Sequence, residues 1–205
     1  MANILRIYPN NINERHIEEA VDALKRGEII IYPTDSLYGL AVDALNKKAV
    51  EKLCRAKGLD PEKNLLAIVC SDFSQASEYV RINNISFSIL KANLPGSFTF
   101  ILPASTKLPK VFKNRKTIGL RIPDNNIARE LARQLGNPLL TSSVDIDPEN
   151  PEASGEADNL AMTYSQHVNI VIDGGSSNIT YSTLVDLTEP TEPEILRQGI
   201  AELKS

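Results

Sequence analysis

The chain has no tryptophan and only two cysteines and two histidines in 205 residues, and these scarcities exclude several kinds of chemistry. Cys54 and Cys70 each sit inside an apolar segment, the pattern of buried thiols rather than of a disulfide. His16 and His167 lie far apart, and no Cys/His cluster has metal-ligand spacing, so no permanent metal is predicted. The same shortage leaves no Ser-His-Asp grouping for nucleophilic catalysis. No apolar run reaches the roughly eighteen residues of a membrane span. The opening MANILRIYPNNINERH lacks the basic-then-apolar layout of a signal peptide, which predicts a cytoplasmic protein. The glycines form neither GxGxxG nor GxxxxGK[ST], so neither dinucleotide nor P-loop binding is supported. There is no internal repeat.

What is present describes an ordinary globular chain: 42% hydrophobic and 23% charged residues, enough for one domain over residues 1–205. The net charge of −4 argues against a protein that coats nucleic acid indiscriminately, but the charge is uneven. Lys107, Lys110, Lys113, Arg115, Lys116 and Arg121 fall in one stretch without an acid. Residues 145–158 carry six acids and no base. Residues 145–159, with almost no apolar content, are predicted to form a mobile surface loop.

The organising stretch is Gly27 to Ala44, GEIIIYPTDSLYGLAVDA. Glu28 to Tyr32 reads as a strand buried on both faces, which Pro33 ends. Thr34, Asp35, Ser36 and Tyr38 then supply hydrogen-bonding groups ahead of Gly39, where a close backbone approach is predicted. A polar loop at the carboxyl end of a central strand is the usual ligand position in an open α/β sheet. Helices are predicted from Asn13 to about Arg26, from Asn46 to Gly58, over Ser71 to Tyr79, over Ile85 to Asn93 and over Ile127 to Leu135. Further strands are predicted at Leu65–Cys70, Phe98–Leu102, Thr117–Ile122, Leu139–Ser143, Val168–Ile172, Thr183–Leu187 and Glu194–Arg197. Helices alternate with strands early and strands follow strands late, so the expected fold is a single α/β domain on a mixed sheet.

Strand ends collect the reactive side chains. Thr117 and Arg121, four apart in a strand, share a face and together suit a carboxylate or phosphate. With no nucleophile evident, any catalysis would work by positioning and charge stabilisation.

Tyr-Pro-Thr-Asp-Ser-Leu-Tyr-Gly-Leu-Ala-Val-Asp-Ala resembles the opening motif of the YrdC family, the threonylcarbamoyl-AMP synthases and their relatives. The resemblance runs from about Gly27 to Gly199. Pro95-Gly96-Ser97-Phe98-Thr99, Thr117 to Pro123, Asp173-Gly174-Gly175, Ser182 to Asp186 and Ile195 to Gly199 follow in the family's order. It implies a twisted sheet with a positively charged cleft, ATP with Mg²⁺ as substrate beside L-threonine and bicarbonate, and no permanent cofactor. It also implies a link to tRNA modification, with double-stranded RNA or tRNA as a partner.

By the same resemblance Lys57 is the catalytic lysine of a Lys-x-Arg pair. Thr34, Arg121, Ser142 and Ser182 would hold substrate, and Asn64, Thr117 and Arg197 would hold nucleotide (ATP or AMP). Lys107, Lys110, Lys113, Arg115 and Lys116 are the candidate RNA contacts. Three positions depart from the family pattern: the Arg of Lys-x-Arg is Leu59, the Asn of Ser-x-Asn is Val144, and a frequent His is Val69. Lys63 is the candidate substitute cation. These departures resemble the YciO branch. Two readings follow: a nucleotide- and RNA-binding protein with at most weak L-threonylcarbamoyladenylate synthase activity, or a fully active synthase with substitute residues.

Overall fold

The computed structural model describes residues 2–61, 63–108 and 116–204. Among the described residues ten strands form one sheet, in chain order β1 (Asn3–Arg6), β2 (Ile29–Tyr32), β3 (Gly39–Asp43), β4 (Ala67–Val69), β5 (Phe98–Pro103), β6 (Thr117–Arg121), β7 (Leu139–Ser143), β8 (Val168–Asp173), β9 (Thr183–Asp186) and β10 (Glu194–Arg197). Their order across the sheet is β1-β8-β2-β3-β7-β4-β6-β5-β9-β10. The sheet is mixed: β1 and β2 lie parallel to β8, β4 to β6 and β5 to β9, while the other neighbours run antiparallel.

The helices are α1 (Glu14–Lys25), α2 (Lys47–Ala56), α3 (Phe73–Tyr79), α4 (Asn84–Asn93), α5 (Asn126–Leu135) and α6 (Ala157–Thr163). Local chemistry sets their starts. Asn13, Asn46, Asp72, Asn83 and Asn125 each accept a first-turn backbone N–H through their side chains. Thus Asn125 opens α5, just ahead of the predicted start at Ile127. None of the described helices is long and apolar enough to cross a membrane.

Strand alternation sends apolar side chains to both faces of the sheet. On one face Ile31, Val42, Ile68, Phe100, Ile118, Leu120 and Val185 pack in a single core with Val50, Leu53, Ala76, Leu90 and Leu160 from the helices α2, α3, α4 and α6. On the other, Ile30, Tyr32, Ala41, Val69, Leu139 and Ile172 pack beneath Ile17, Leu24, Ile127 and Leu131 of α1 and α5. Helices α1 and α5 cover only part of that second face. Further along it the same alternation places Ala67, Thr99, Gly119, Arg121 and Thr141, a floor of small and polar side chains.

Three elements escape the sequence reading. Strand β1 buries only Leu5 of its four residues, and β3 follows the polar loop directly and pairs back on β2. The acidic segment is not the mobile loop predicted for it. It holds a 3-10 turn at Pro151–Gly155 and the start of α6. Buried Ser154 accepts the Asp147 N–H, while Ala157 and Leu160 are buried in the core. Two buried apolar side chains beside many charges leave almost no periodic signal.

Candidate functional site

The polar loop after β2 is pinned from several sides. The Thr34 hydroxyl donates to the Leu37 carbonyl and accepts the Ser36 N–H, closing the loop on itself. Asp35 accepts the Asp124 N–H at 2.8 Å and an Arg121 Nη2 donor at 3.0 Å. Ser36 accepts a second Nη2 bond at 2.9 Å, and Ser97 donates to the Asp35 carbonyl. Arg121 and Asp35 are almost withdrawn from water, with side-chain exposures of 5% and 8%. Arg121 Nε is buried with no acceptor among the described residues, a shortfall of about 1–3 kcal/mol for a buried donor.

The close backbone approach expected at Gly39 is present, for a Cβ there would lie 2.8 Å from the Tyr32 ring. Tyr32 thereby reaches Thr141, hydroxyl to hydroxyl at 2.8 Å. Gly119 serves the floor in the same way, since a Cβ would meet Thr99 at 2.9 Å and Ala67 at 3.0 Å. Tyr38 ties the loop to the turn after β8, donating to the Gly175 carbonyl and accepting the Gly174 N–H. Burial pushes its phenol up to about 12.

Above the floor lies a cavity of about 270 Å³. Arg121, Ser142, Ser182 and Arg197 line it, so four of the predicted site residues meet there. Thr99, Thr141 and Ser143 add hydroxyls, and Leu59, Leu65, Leu66, Ala67 and Leu184 make an apolar wall. Ser182 is fixed twice: its hydroxyl meets that of Thr99 at 2.8 Å, and its carbonyl accepts Arg197 Nη2 at 2.9 Å. The Arg197 guanidinium lies 4.8 Å from the Tyr181 ring centroid, a cation–π distance. Partial burial, opposed by Tyr181 and aided by Arg121, lowers its pKa from the ordinary arginine value. A larger cavity of about 430 Å³ lies on the other flank of Asp35. It presents Asp35, Asp124 and Glu202 against a single Lys204, so the smaller cavity is the better anion site.

The other predicted residues are placed elsewhere. Lys57 caps the end of α2, and its buried ammonium is paired with Asp145 at 2.5 Å, 6.0 Å from the Tyr164 ring centroid. Asn64 accepts the Asp60 N–H through its side chain, closing a surface turn. Thr34 and Thr117 are absent from the cavity lining, although Thr117 shares a strand face with Arg121. Lys63 is exposed and paired with Asp60.

Of the departures, Leu59 lines the cavity, whereas Val144 and Val69 are core residues, with Val144 only 1% exposed. Of the two motif positions 59 and 144, only the first therefore borders the cavity. Lys107 is paired with Glu78 and Lys116 is exposed. Lys110, Lys113 and Arg115 lie outside the described residues. The described residues hold no group of three or more His, Cys, Asp or Glu able to bind a metal ion.

The sequence profile of the Sua5/YciO/YrdC domain, described as telomere recombination, matches residues 22–199. The chain belongs to this family. A Haemophilus influenzae protein is 39% identical over 201 residues, spanning 97% of this chain and 96% of its own. YciO of Escherichia coli is 34% identical over 206 residues, and its crystal structure superposes with a TM-score of 0.89, covering all of this chain and 98% of that one. A Pyrococcus abyssi threonylcarbamoyl-AMP synthase is 31% identical over 191 residues, 92% of this chain and 55% of that enzyme. The structure of P. abyssi Sua5 complexed with L-threonine gives a TM-score of 0.82 at 29% identity, covering 97% of this chain and 57% of that one. Family membership accounts for the twisted mixed sheet. Of the residues missed from sequence, Thr99 and Thr141 carried a signal in alternation, as polar side chains inside strands that are otherwise largely apolar and buried, whereas Ser143 and Leu184 carried none.

Proposed function

We propose that the cavity binds an adenine nucleotide together with L-threonine, and that the protein makes threonylcarbamoyl-AMP from ATP, L-threonine and bicarbonate at most weakly. The observation that carries this reading is the convergence of Arg121, Ser142, Ser182 and Arg197 on one cavity whose adjoining wall is Leu59. Two guanidiniums and several hydroxyls suit a phosphate or carboxylate. Leucine cannot stabilise charge on a departing pyrophosphate, and losing one positioned donor costs on the order of 10²–10³ in rate. Lys57, committed to Asp145, does not line the wall in its place. The reading extends to duplex RNA only through Lys107, Lys110, Lys113, Arg115 and Lys116. Of these, Lys107 is already engaged by Glu78, so the nucleotide is the better-supported ligand.

Two measurements test it. Calorimetry with AMP should show binding that Arg197→Ala weakens by about tenfold, the loss of one charge-assisted hydrogen-bonding group. No heat with AMP at millimolar concentration would remove the nucleotide from the reading. Pyrophosphate release with ATP, L-threonine and bicarbonate should fall far below that of a relative with an intact Lys-x-Arg pair. Equal rates would restore the fully active synthase.

A further inference from the structure

The charge of the cavity is smaller than its arginines imply. Among the described residues Arg121 and Arg197 are the cations of the lining, and no carboxylate lines it. Arg121, however, is in contact with buried Asp35, which neutralises one of the two guanidiniums. The neighbouring cations are spent elsewhere: Lys57 faces Asp145, and Lys63 is held by Asp60 at the surface. Among the described residues the cavity thus offers a single net positive charge, set beside Leu59, Leu65, Leu66 and Leu184. A ligand with several ionised phosphates would lay its excess charge along leucine, losing hydration with no counter-charge in return.

We infer that the cavity selects a singly charged acyl adenylate over a nucleoside triphosphate. In an acyl adenylate the phosphate is bridged on both sides and keeps one ionisable oxygen, which matches the net charge of the site. The acyl portion then has the leucine wall to cover it. Arg197 would meet the phosphate oxygen, while the hydroxyls of Ser142, Ser143 and Ser182 would serve the polar atoms of ribose or acyl group. This rests on the nucleotide reading above and narrows it to a charge class. It makes Leu59, through the charge it withholds, the specificity-determining residue.

Calorimetric titration of the full chain with adenosine, AMP, ATP and 5′-O-(N-acetylsulfamoyl)adenosine, a stable singly charged mimic of an acyl adenylate, tests it. In EDTA the mimic should bind about tenfold more tightly than ATP, the scale of one or two uncompensated charges near a protein surface. Added Mg²⁺, which cancels triphosphate charge, should narrow the gap. ATP binding in EDTA as tightly as the mimic overturns the inference while leaving the nucleotide reading intact; no binding of any probe removes both. Leu59→Arg should raise ATP affinity about tenfold and leave the mimic nearly unchanged. Leu59→Ala, which uncovers the acyl portion, should weaken the mimic and leave ATP nearly unchanged. Leu65→Arg, at a wall position already 39% exposed, should shift the preference in the same direction and covers the case of an unfolded Leu59→Arg protein. A folded arginine variant with an unchanged ratio of affinities would show that the leucine wall plays no part in selection.

Discussion

Two ion pairs separate the working and supporting parts of this molecule. Arg121–Asp35 is buried on both sides, with exposures of 5% and 8%, and it borders the cavity. Lys57–Asp145 is lopsided, with an ammonium 6% exposed and a carboxylate 79% exposed, and its lysine does not line that cavity. In the first pair neither charge can turn to water, so each depends on the other and on Ser36 and the Asp124 N–H. In the second the carboxylate keeps most of its hydration. Similar pairings therefore make different demands: one holds the loop of the site together, while the other ties the end of α2 to the acidic segment.

Breaking the buried pair should have the largest effect. Asp35→Ala leaves a buried guanidinium without its counter-charge and should cost about 3–5 kcal/mol in denaturant unfolding. A loss below 1 kcal/mol would show that water reaches Arg121 freely. Val144→Asn comes next, at about 2–4 kcal/mol, because an amide would be placed in a core position with no partner provided for it. That substitution restores the Ser-x-Asn pattern yet should not restore activity, which pyrophosphate release would check.

The lopsided pair can be probed through pH. Tyr164 donates to Asp145 Oδ2 and accepts the Asp145 N–H, and burial pushes its phenol from 10.0 up to about 12. A raised folded-state value means that the folded chain holds this proton longer than the unfolded chain does. Its contribution is complete below pH 10 and is lost as the pH rises towards about 12. Tyr164→Phe should flatten that alkaline decline, and an unchanged pH profile would mean that the other groups raised by burial, Tyr32, Tyr38, Tyr79 and Cys70, carry it. The smallest effect belongs to Asp145→Asn. The Lys57 ammonium is 6% exposed, but the amide keeps an oxygen for it to donate to, so the loss should be about 1–2 kcal/mol in thermal stability.

The helices were legible where side-chain chemistry is local. Asn13 and Asn46 announce their helices because a cap needs only the next three residues. The buried strands were legible because both faces are apolar, as at Ile29–Tyr32. Strand β1 and α6 were not, since each buries too little to leave a period. Strand β3 was hidden by following the polar loop directly. Of the candidate residues, Arg121, Ser142, Ser182 and Arg197 line one cavity, whereas Asn64 and Thr34 make local contacts and Lys57 pairs with Asp145, 88 positions away. Position along the chain says little about where a long or polar side chain points when several partners compete for it.

By itself the sequence determined the family, the mixed α/β character and the loop that carries Asp35 and Ser36, because these depend on short-range patterns and on ordered motifs. Only the tertiary structure decided that Arg121 is compensated by Asp35, 86 positions away, that Lys57 is claimed by Asp145, and that Leu59 reaches the cavity while Val144 does not. The physical reason is that charge compensation and burial belong to pairs of groups brought together by sheet order. Strand β6 lies beside β4 and β5, and the turn that follows it meets the loop after β2, an arrangement no local stretch of chain encodes.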